Sequence, residues 1–125
     1  QKVAEFLHDD PRVAWVRYSG LADDPDHALA AKYLPNGSCG VMCFGLKGDR
    51  ETAIKFMDSL KMIAIVTHVA DARSCVLHPA SHTHRQLSEE QLLEAGIAPD
   101  LIRLSVGIED VEDILADIKQ ALDQI

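Results

Sequence analysis

The chain has 125 residues, 47% of them hydrophobic, and a formal net charge of −8. A chain of this length can bury a proper core, so we predict a single domain over residues 1–125. The acidic balance argues against a nucleic-acid partner, because phosphate binding needs clustered Lys and Arg, and no apolar run approaches the ~20 residues of a membrane span.

The first half of the chain predicts two helices and two strands. A short apolar stripe with helical spacing ends before Pro11. The stretch RVAWVRYSG then alternates in the manner of a strand, with Val13 and Trp15 on the same face. The next helix begins within DDPDHALAAKYL, where Asp24 is the predicted N-cap and Pro25 the first helical residue. The glycine-punctuated stretch GSCGVMCFGLKG is apolar and β-like.

The second half predicts three helices and three strands. DRETAIKFMDSL is a helix capped by Asp49, and SEEQLLEAG carries a capping box of Ser88 and Gln91, with Gly96 as its C-terminal stop. KMIAIVT and RSCVL are predicted as short strands, and DLIRLSVG as the last one. A closing helix over residues 110–125 places its apolar side chains on one stripe.

These elements predict an α/β fold of the α+β kind. KMIAIVT and RSCVL have no helix between them, so part of the sheet is expected to be antiparallel. Helices and strands mix without the strict alternation of a doubly wound sheet. We therefore predict a mixed, partly antiparallel sheet with helices layered on one face.

Arg103 is the candidate functional residue of the last strand. Within LIRLSVGIED, Leu101, Arg103 and Ser105 point to one face, whereas Ile102 and Leu104 point to the face that packs on the helices. A guanidinium on a rigid strand can hold the carboxylate of an α-amino or α-keto acid through two parallel hydrogen bonds. From the residues alone, the alternative is an exposed or salt-bridged arginine on a half-solvated sheet.

Other residues with possible chemistry give weaker signals. HPASHTH holds His78, His82 and His84, but no acid or thiol follows at a familiar zinc spacing, so loop or interface histidines are favoured over a metal site. We assign no metal ligand. The three cysteines lack the spacing of a disulfide framework, which favours reduced thiols and a cytoplasmic location.

Several longer stretches of the sequence resemble, in the same order, the motifs of a known enzyme family. LHPASHTHRQLSEEQLLEAGIAPDLIRLSVGIEDVEDILADIKQAL resembles the C-terminal part of the pyridoxal-phosphate-dependent enzymes of Cys/Met metabolism, whose tail contains H-P-A-x-x-T-H and R-[LI]-S-V-G-[IL]-E. YSGL resembles the family's Y-P-G-L, and GSCGVMCFGLKG resembles its glycine-rich strand. HRQL and SVGIEDVEDILADI are most similar to the O-acetylhomoserine sulfhydrylases of that family. The matching residues of the tail are His78, Pro79, Ala80, Thr83, His84, Gly96, Arg103, Ser105, Val106, Gly107 and Glu109.

The resemblance implies that the chain is the smaller C-terminal domain of a fold-type I enzyme and forms one wall of its active-site cleft. The arginine of the family's R-[LI]-S-V-G motif binds the α-carboxylate of the substrate, and Arg103 takes that position. A second carboxylate contact comes from an [SN]-L-G-[DG] segment. HVAD matches this segment, with His68 in place of Ser or Asn, and a neutral imidazole can still donate a hydrogen bond. The implied substrate-binding residues are therefore Arg103 and His68.

For the complete enzyme, the resemblance implies γ-replacement in methionine biosynthesis, in which O-acetylhomoserine and sulfide give homocysteine. Pyridoxal phosphate and the catalytic lysine, which follows an S-x-[TS] pattern, are expected in a preceding larger domain. We predict no catalytic or cofactor-binding residue in this chain, and no activity or bound cofactor for this domain alone. The family also implies a homotetramer. The alternatives are a cystathionine γ-synthase, a cystathionine or methionine γ-lyase, a non-catalytic amino-acid-binding module, or an oligomerisation domain.

Overall fold

The structure is a computed structural model that describes residues 1–68, 71–81, 83 and 86–125. In this part of the chain, no helix is long and apolar enough to cross a membrane. The elements in chain order are α1 (Lys2–Asp9), β1 (Val13–Arg17), α2 (His27–Tyr33), β2 (Val41–Leu46), α3 (Arg50–Asp58), β3 (Ala64–Ile65), β4 (Cys75–Leu77), α4 (Glu89–Glu94), β5 (Leu101–Ser105) and α5 (Val111–Leu122).

The strands form a mixed sheet in the order β1-β2-β5-β4-β3. The pairs β1–β2, β2–β5 and β4–β5 are antiparallel, whereas β3 and β4 are parallel. The predicted mixed sheet is confirmed, but the pair from which we inferred antiparallel pairing is the parallel one. β3 has only two residues, which span about 7 Å at ~3.3 Å per residue. The chain has to travel back only this distance before β4 begins, so a loop can make the connection without a helix.

The main core lies between one face of the sheet and helices α1, α3 and α5. Met42, Leu104 and Val76 are register partners on β2, β5 and β4, and all three are buried. Phe44 of β2 packs edge-on against Phe56 of α3, with ring centroids 5.8 Å apart. The helices contribute Val3, Ala4, Leu7, Ala53, Phe56, Met57, Ile114, Ile118, Ala121 and Leu122. The predicted layering of helices on one face is confirmed.

Local capping signals place the ends of α3 and α4. Asp49 accepts a hydrogen bond from the Thr52 amide, and Ser88 accepts one from the Gln91 amide, each within a reciprocal capping box. Gly96 follows α4 with a φ of 74°, a conformation that glycine adopts at little cost. The predicted caps are confirmed at these positions.

The start of α2 differs from the prediction. The helix begins at His27 with Asp26 as its N-cap, two residues later than expected. The Asp24 carboxylate instead accepts hydrogen bonds from the Tyr18 amide at 3.0 Å and the Asp26 amide at 2.9 Å. Asp24 therefore closes the turn after β1 and does not cap the helix, because its acceptors are already occupied there.

A β-bulge changes which residues of β1 face the core. Val13 pairs with Leu46 and Trp15 pairs with Gly45, so β1 advances by two residues while β2 advances by one. Val13 therefore shares the core face with Leu46, and Trp15 lies over Gly45 on the opposite face. The prediction that Val13 and Trp15 share a face is wrong for this reason.

Candidate functional site

Arg103 and Ser105 lie on the sheet face opposite the main core. Along β5, Ile102 and Leu104 are buried, whereas the residues at 101, 103 and 105 are half-buried. This pattern confirms the predicted division of the strand between two faces. Since β5 pairs with β2 on one edge and β4 on the other, hydrogen bonds on both sides hold the backbone that carries Arg103.

The neighbours of Arg103 are set by the strand register. Cys43 of β2 and Leu77 of β4 lie directly opposite Arg103, and Arg17 of β1 lies opposite Cys43 on its other side. Register partners project to the same face of a sheet. Leu77 is buried and Cys43 is half-buried, so the aliphatic stem of Arg103 extends between an apolar side chain and a thiol.

Arg103 lines a cavity of about 250 Å³. This volume is slightly below the ~300 Å³ at which complete small-molecule pockets begin. It suits the carboxylate end of an amino acid better than a large cofactor. Three segments contribute the lining: the start of β2, the connection between β3 and β4, and the end of β5. The lining residues are Gly40, Val41, His68, Asp71, Arg103, Ser105 and Val106.

Arg103 makes few contacts through its five N–H donors. Its Nη2 donates to the His68 carbonyl oxygen over a long distance of 3.4 Å. Within residues 1–68, 71–81, 83 and 86–125, no acid forms an ion pair with Arg103. The salt-bridged alternative is therefore not seen in the described residues, and the guanidinium has donors left for an anionic ligand.

Asp71 is a second charged group at this cavity, and its charge is balanced locally. Arg73 donates to it from Nη2 at 3.1 Å and from its backbone amide at 3.0 Å, and His68 Nδ1 lies 3.1 Å from Oδ2. The hydrogen bond from the Arg73 side chain, then the Arg73 amide and His68, hold the pKa of Asp71 well below its usual range. Asp71 is therefore an ionised acceptor with its own partners, and it does not occupy Arg103.

The carbonyl of His68 accepts from Arg103, and its ring is directed to Asp71. Since an ionised carboxylate only accepts hydrogen bonds, His68 Nδ1 must carry the proton in this contact. In a neutral ring Nε2 is then an acceptor, and both nitrogens donate only in the imidazolium form. The geometry narrows the predicted role: a neutral His68 that keeps its bond to Asp71 has no ring donor left for a ligand carboxylate.

Cys43 is an uncharged neighbour of Arg103. Burial raises the pKa of its thiol, and the positive charge of Arg103 opposes this increase without overcoming it. A thiol with a raised pKa is protonated at neutral pH, unlike the thiolates that act as nucleophiles. Cys43 thus contributes surface next to the guanidinium rather than a reactive anion.

The histidine loop is described only in part. His78 is fully buried, and its ring nitrogens lie 2.7 Å from the Ser81 hydroxyl and 2.7 Å from the Pro99 carbonyl. Nε2 donates to the Pro99 carbonyl, and Nδ1 shares a hydrogen bond with the Ser81 hydroxyl. His82 and His84 lie outside the described residues, so the structure does not test a metal site that needs them.

Sequence reasoning gave no role to two acids of this region. Asp71 had a local signal, because it follows His68 by three residues in the segment aligned with the family's second carboxylate contact. Glu109 is the last residue of the family motif R-[LI]-S-V-G-[IL]-E, but its own segment does not indicate its hydrogen-bond partner. It accepts a hydrogen bond from Ser74, which is 35 residues away in sequence.

Pyridoxal phosphate needs a lysine to form its resting imine, and this chain offers no lysine at the cavity. Every lysine is exposed, and the cavity lining contains none. The described residues around Arg103 therefore do not fit the cofactor. They fit the anionic end of an amino acid instead. The lysines are Lys2, Lys32, Lys47, Lys55, Lys61 and Lys119.

Known proteins resemble this chain over almost its whole length. Sulfhydrylase-like protein lolC1 of Epichloe uncinata is 49% identical over 99% of the chain. O-acetyl-L-homoserine sulfhydrylase 1 of Thermus thermophilus is 47% identical over 96% of the chain. The chain spans only 26% and 28% of these two relatives, so it corresponds to a part of them.

A solved structure shares the architecture. The crystal structure of a putative O-acetylhomoserine (thiol)-lyase from Campylobacter jejuni, which contains N′-pyridoxyl-lysine-5′-monophosphate, has a TM-score of 0.90 and 41% sequence identity. The match covers 98% of this chain and 29% of that one. Residues 1–123 also match the family described as Cys/Met metabolism PLP-dependent enzyme. By this match, the chain belongs to the Cys/Met metabolism PLP-dependent enzyme family.

Proposed function

We propose that this chain is the substrate-carboxylate-binding domain of an O-acetylhomoserine sulfhydrylase, which makes homocysteine and acetate from O-acetylhomoserine and sulfide by γ-replacement. The observation that carries the proposal is Arg103, which lines a cavity and whose guanidinium has no acid partner among the described residues. The sulfhydrylase relatives, at 47–49% identity over nearly the whole chain, support the reaction class.

Arg103 binds the α-carboxylate of the amino acid in this proposal. Its planar fork can form two parallel hydrogen bonds to the two carboxylate oxygens, and the central strand β5 keeps the fork in place. Binding at this point fixes the rest of the amino acid in one orientation. The α-carbon is then held for a base outside this chain, and such positioning can supply several kcal/mol of barrier reduction.

The larger part of the enzyme binds pyridoxal phosphate and supplies the catalytic lysine. The lysine of the resting imine comes from that larger part in this proposal, because none of this chain's lysines lines the cavity. Its partners in the proposal are the larger cofactor-binding domain and the amino-acid substrate. We also propose that the enzyme is a cytoplasmic homotetramer, as the family resemblance implies.

His68 acts mainly through its backbone in this proposal. Its carbonyl oxygen accepts from Arg103 Nη2 and so limits the rotation of the guanidinium. The ring adds a donor to the substrate carboxylate only when it is doubly protonated, because Nδ1 is used by Asp71. His68→Ala keeps the carbonyl, so we expect the Michaelis constant KM to rise by only about two- to threefold. A larger increase would contradict this division of roles.

The test of the proposal is the KM for O-acetylhomoserine in the full-length enzyme. Two charge-assisted hydrogen bonds at about 1.5 kcal/mol each correspond to about a hundredfold increase in KM for Arg103→Ala. Arg17→Ala is the matched control, because Arg17 lies two strands away on the same face and pairs with Asp24 and Asp26. We expect the control to leave KM near the wild-type value. An unchanged KM in Arg103→Ala would remove Arg103 from the substrate site.

Product analysis of the same enzyme tests the reaction class. Replacement with sulfide yields homocysteine and acetate, whereas elimination with water yields 2-oxobutyrate, ammonia and acetate. We expect homocysteine to account for the acetate released. Release of 2-oxobutyrate in place of homocysteine would instead favour a γ-lyase of the same family, and no turnover by the cofactor-loaded full-length protein would favour a non-catalytic module.

A further inference from the structure

A polar clamp joins the turn after β5 to the connection between β3 and β4. The Glu109 carboxylate accepts hydrogen bonds from the Ser74 amide at 2.6 Å and the Ser74 hydroxyl at 2.9 Å. The Gly107 amide donates to the same hydroxyl at 2.9 Å, and the Ile108 amide donates to the Ala72 carbonyl at 3.0 Å. Ser74 is fully buried, so water competes little for its bonds. We call this set of contacts the Glu109–Ser74 clamp.

The clamp depends on the charge of Glu109. Burial raises the pKa of this carboxyl, but the hydrogen bonds from the Ser74 amide, from its own amide and from the Ser74 hydroxyl together lower it below the usual value. The carboxylate is therefore ionised, and hydrogen bonds to an ionised acceptor are about twice as strong as neutral ones. Glutamine has the same size but replaces one acceptor with an N–H₂ group, which would face a donor of Ser74.

Gly107 permits the two segments to approach closely. A Cβ atom at this position would overlap the Ala72 carbonyl, the Ser74 amide and the Glu109 carboxylate. The backbone of the turn therefore lies directly against the backbone of the connection. This close contact makes the position of one segment depend on the other.

The described residues of this connection have little apolar anchoring. Its described residues, 66–68 and 71–73, are half-buried or exposed, and Ser74 is the first buried residue after them. His68 and Asp71 both lie on this connection and line the cavity. Polar contacts therefore hold the described part of this wall, and the clamp attaches to Ala72 and Ser74, directly after Asp71.

We infer that Glu109 is a positioning residue for substrate binding: through Ser74 it holds the connection so that the His68 carbonyl keeps the Arg103 guanidinium directed into the cavity. This inference rests on the proposed role of Arg103 as the carboxylate ligand. Glu109 does not itself line the cavity. Its loss should therefore weaken substrate binding and leave the chemical step largely unchanged, which appears as a higher KM at nearly constant kcat.

The experiment compares Glu109→Gln with Glu112→Gln in the full-length enzyme. Glu112 is an exposed acid in the first turn of α5, so the control removes the same charge without touching the clamp. We expect Glu109→Gln to raise the KM for O-acetylhomoserine about tenfold and to change kcat by no more than about twofold. The expected increase is smaller than the hundredfold effect that a ~1 Å misplacement can cause. Glu112→Gln should change neither value. A wild-type KM in Glu109→Gln would overturn the inference.

A double-mutant cycle separates this inference from the proposed function. If Glu109 acts through Arg103, adding Glu109→Gln to Arg103→Ala should produce no further increase in KM. A further tenfold increase would show that Glu109 acts elsewhere and would overturn the inference alone. A wild-type KM in Arg103→Ala would instead overturn the proposed function, and this inference with it.

Ser74→Ala provides a second variant in case Glu109→Gln does not fold. It removes the hydroxyl bonds to Glu109 and Gly107 but keeps the bond from the Ser74 amide. We expect about a threefold increase in KM, with the cofactor absorbance of the folded enzyme retained. A folded Ser74→Ala enzyme with wild-type KM would count against the clamp as a positioning device.

Discussion

Asp117 connects α5 to the segment before β3 and should be a main determinant of stability. Its carboxylate accepts hydrogen bonds from three consecutive amides, those of Lys61 at 2.9 Å, Met62 at 3.0 Å and Ile63 at 2.9 Å. Asp117 is 7% exposed, and Ile63 is 4% exposed. The Ile63 amide therefore has no access to water if the acceptor is lost, whereas Lys61 and Met62 are exposed and can be hydrated.

The size of the effect follows from these three bonds. Asparagine keeps one acceptor oxygen but replaces the other with an N–H₂ group. At least one amide therefore loses its partner and the remaining bonds are no longer charge-assisted, at a cost of about 1 kcal/mol per bond. We therefore expect Asp117→Asn to lower the free energy of unfolding by about 3 kcal/mol at pH 7. With an m-value of about 2 kcal/mol/M, the urea midpoint of the 125-residue chain should fall by about 1.5 M.

The loss of stability in Asp117→Asn should depend on pH. Burial raises the pKa of Asp117, but the amides of Ile63, Lys61 and Met62 lower it below the ordinary value of 3.8. A carboxyl with a lowered folded-state pKa stabilises the fold above its unfolded pKa, and this stabilisation is lost as pH falls through the folded pKa. The difference between wild type and Asp117→Asn should therefore shrink below about pH 4.

The control for Asp117 is Asp113→Asn, four residues earlier on α5. Asp113 is exposed, and its position in the first turn is worth under about 1 kcal/mol through the helix dipole. Urea unfolding of both variants at pH 7 and pH 3 compares them directly. Equal loss in the two variants at pH 7, or a loss for Asp117→Asn that does not vary with pH, would refute the reasoning.

Two further predictions concern the surroundings of the site. Gly107→Ala should lower the free energy of unfolding by about 1–3 kcal/mol, because its Cβ would overlap the Ser74 amide. The control is Ile108→Ala at the exposed neighbouring residue, which should change the free energy of unfolding by less than about 0.5 kcal/mol. Equal urea midpoints for the two variants would contradict the steric argument. Alkylation of Cys43 should show a pH midpoint above the usual thiol range of ~8.5, because burial raises its pKa. Arg103→Ala should move that midpoint higher, since a neighbouring cation is lost, and mass spectrometry showing a lower midpoint would contradict it.

The sequence predicted best where the structural signal is local. The alternation in β5 placed Arg103 and Ser105 on one face because side-chain direction in a strand reverses at every residue. The capping boxes at Asp49 and Ser88 were equally predictable, since each involves residues three apart. The alternation predicted the face on which Arg103 lies, whereas the expectation that this face forms one wall of a cleft came from the family resemblance.

The features that the sequence did not predict depend on contacts between distant residues. The parallel pairing of β3 and β4 follows from the path of the connection and not from the composition of either strand. Asp24 has the local pattern of an N-cap, but the Tyr18 amide competes for its carboxylate. The Glu109–Ser74 clamp joins residues 35 positions apart, and no periodicity or spacing rule indicates such a pair.

The most direct test of the carboxylate-binding role varies the substrate and Arg103 together. Full-length wild type and Arg103→Ala are assayed with O-acetylhomoserine and with its α-carboxamide, which lacks the negative charge. Wild type should prefer the acid by about a hundredfold in kcat/KM, and Arg103→Ala should lose this preference to within about threefold. If Arg103→Ala still prefers the acid as strongly as wild type does, another group binds the carboxylate and the account of this site is wrong.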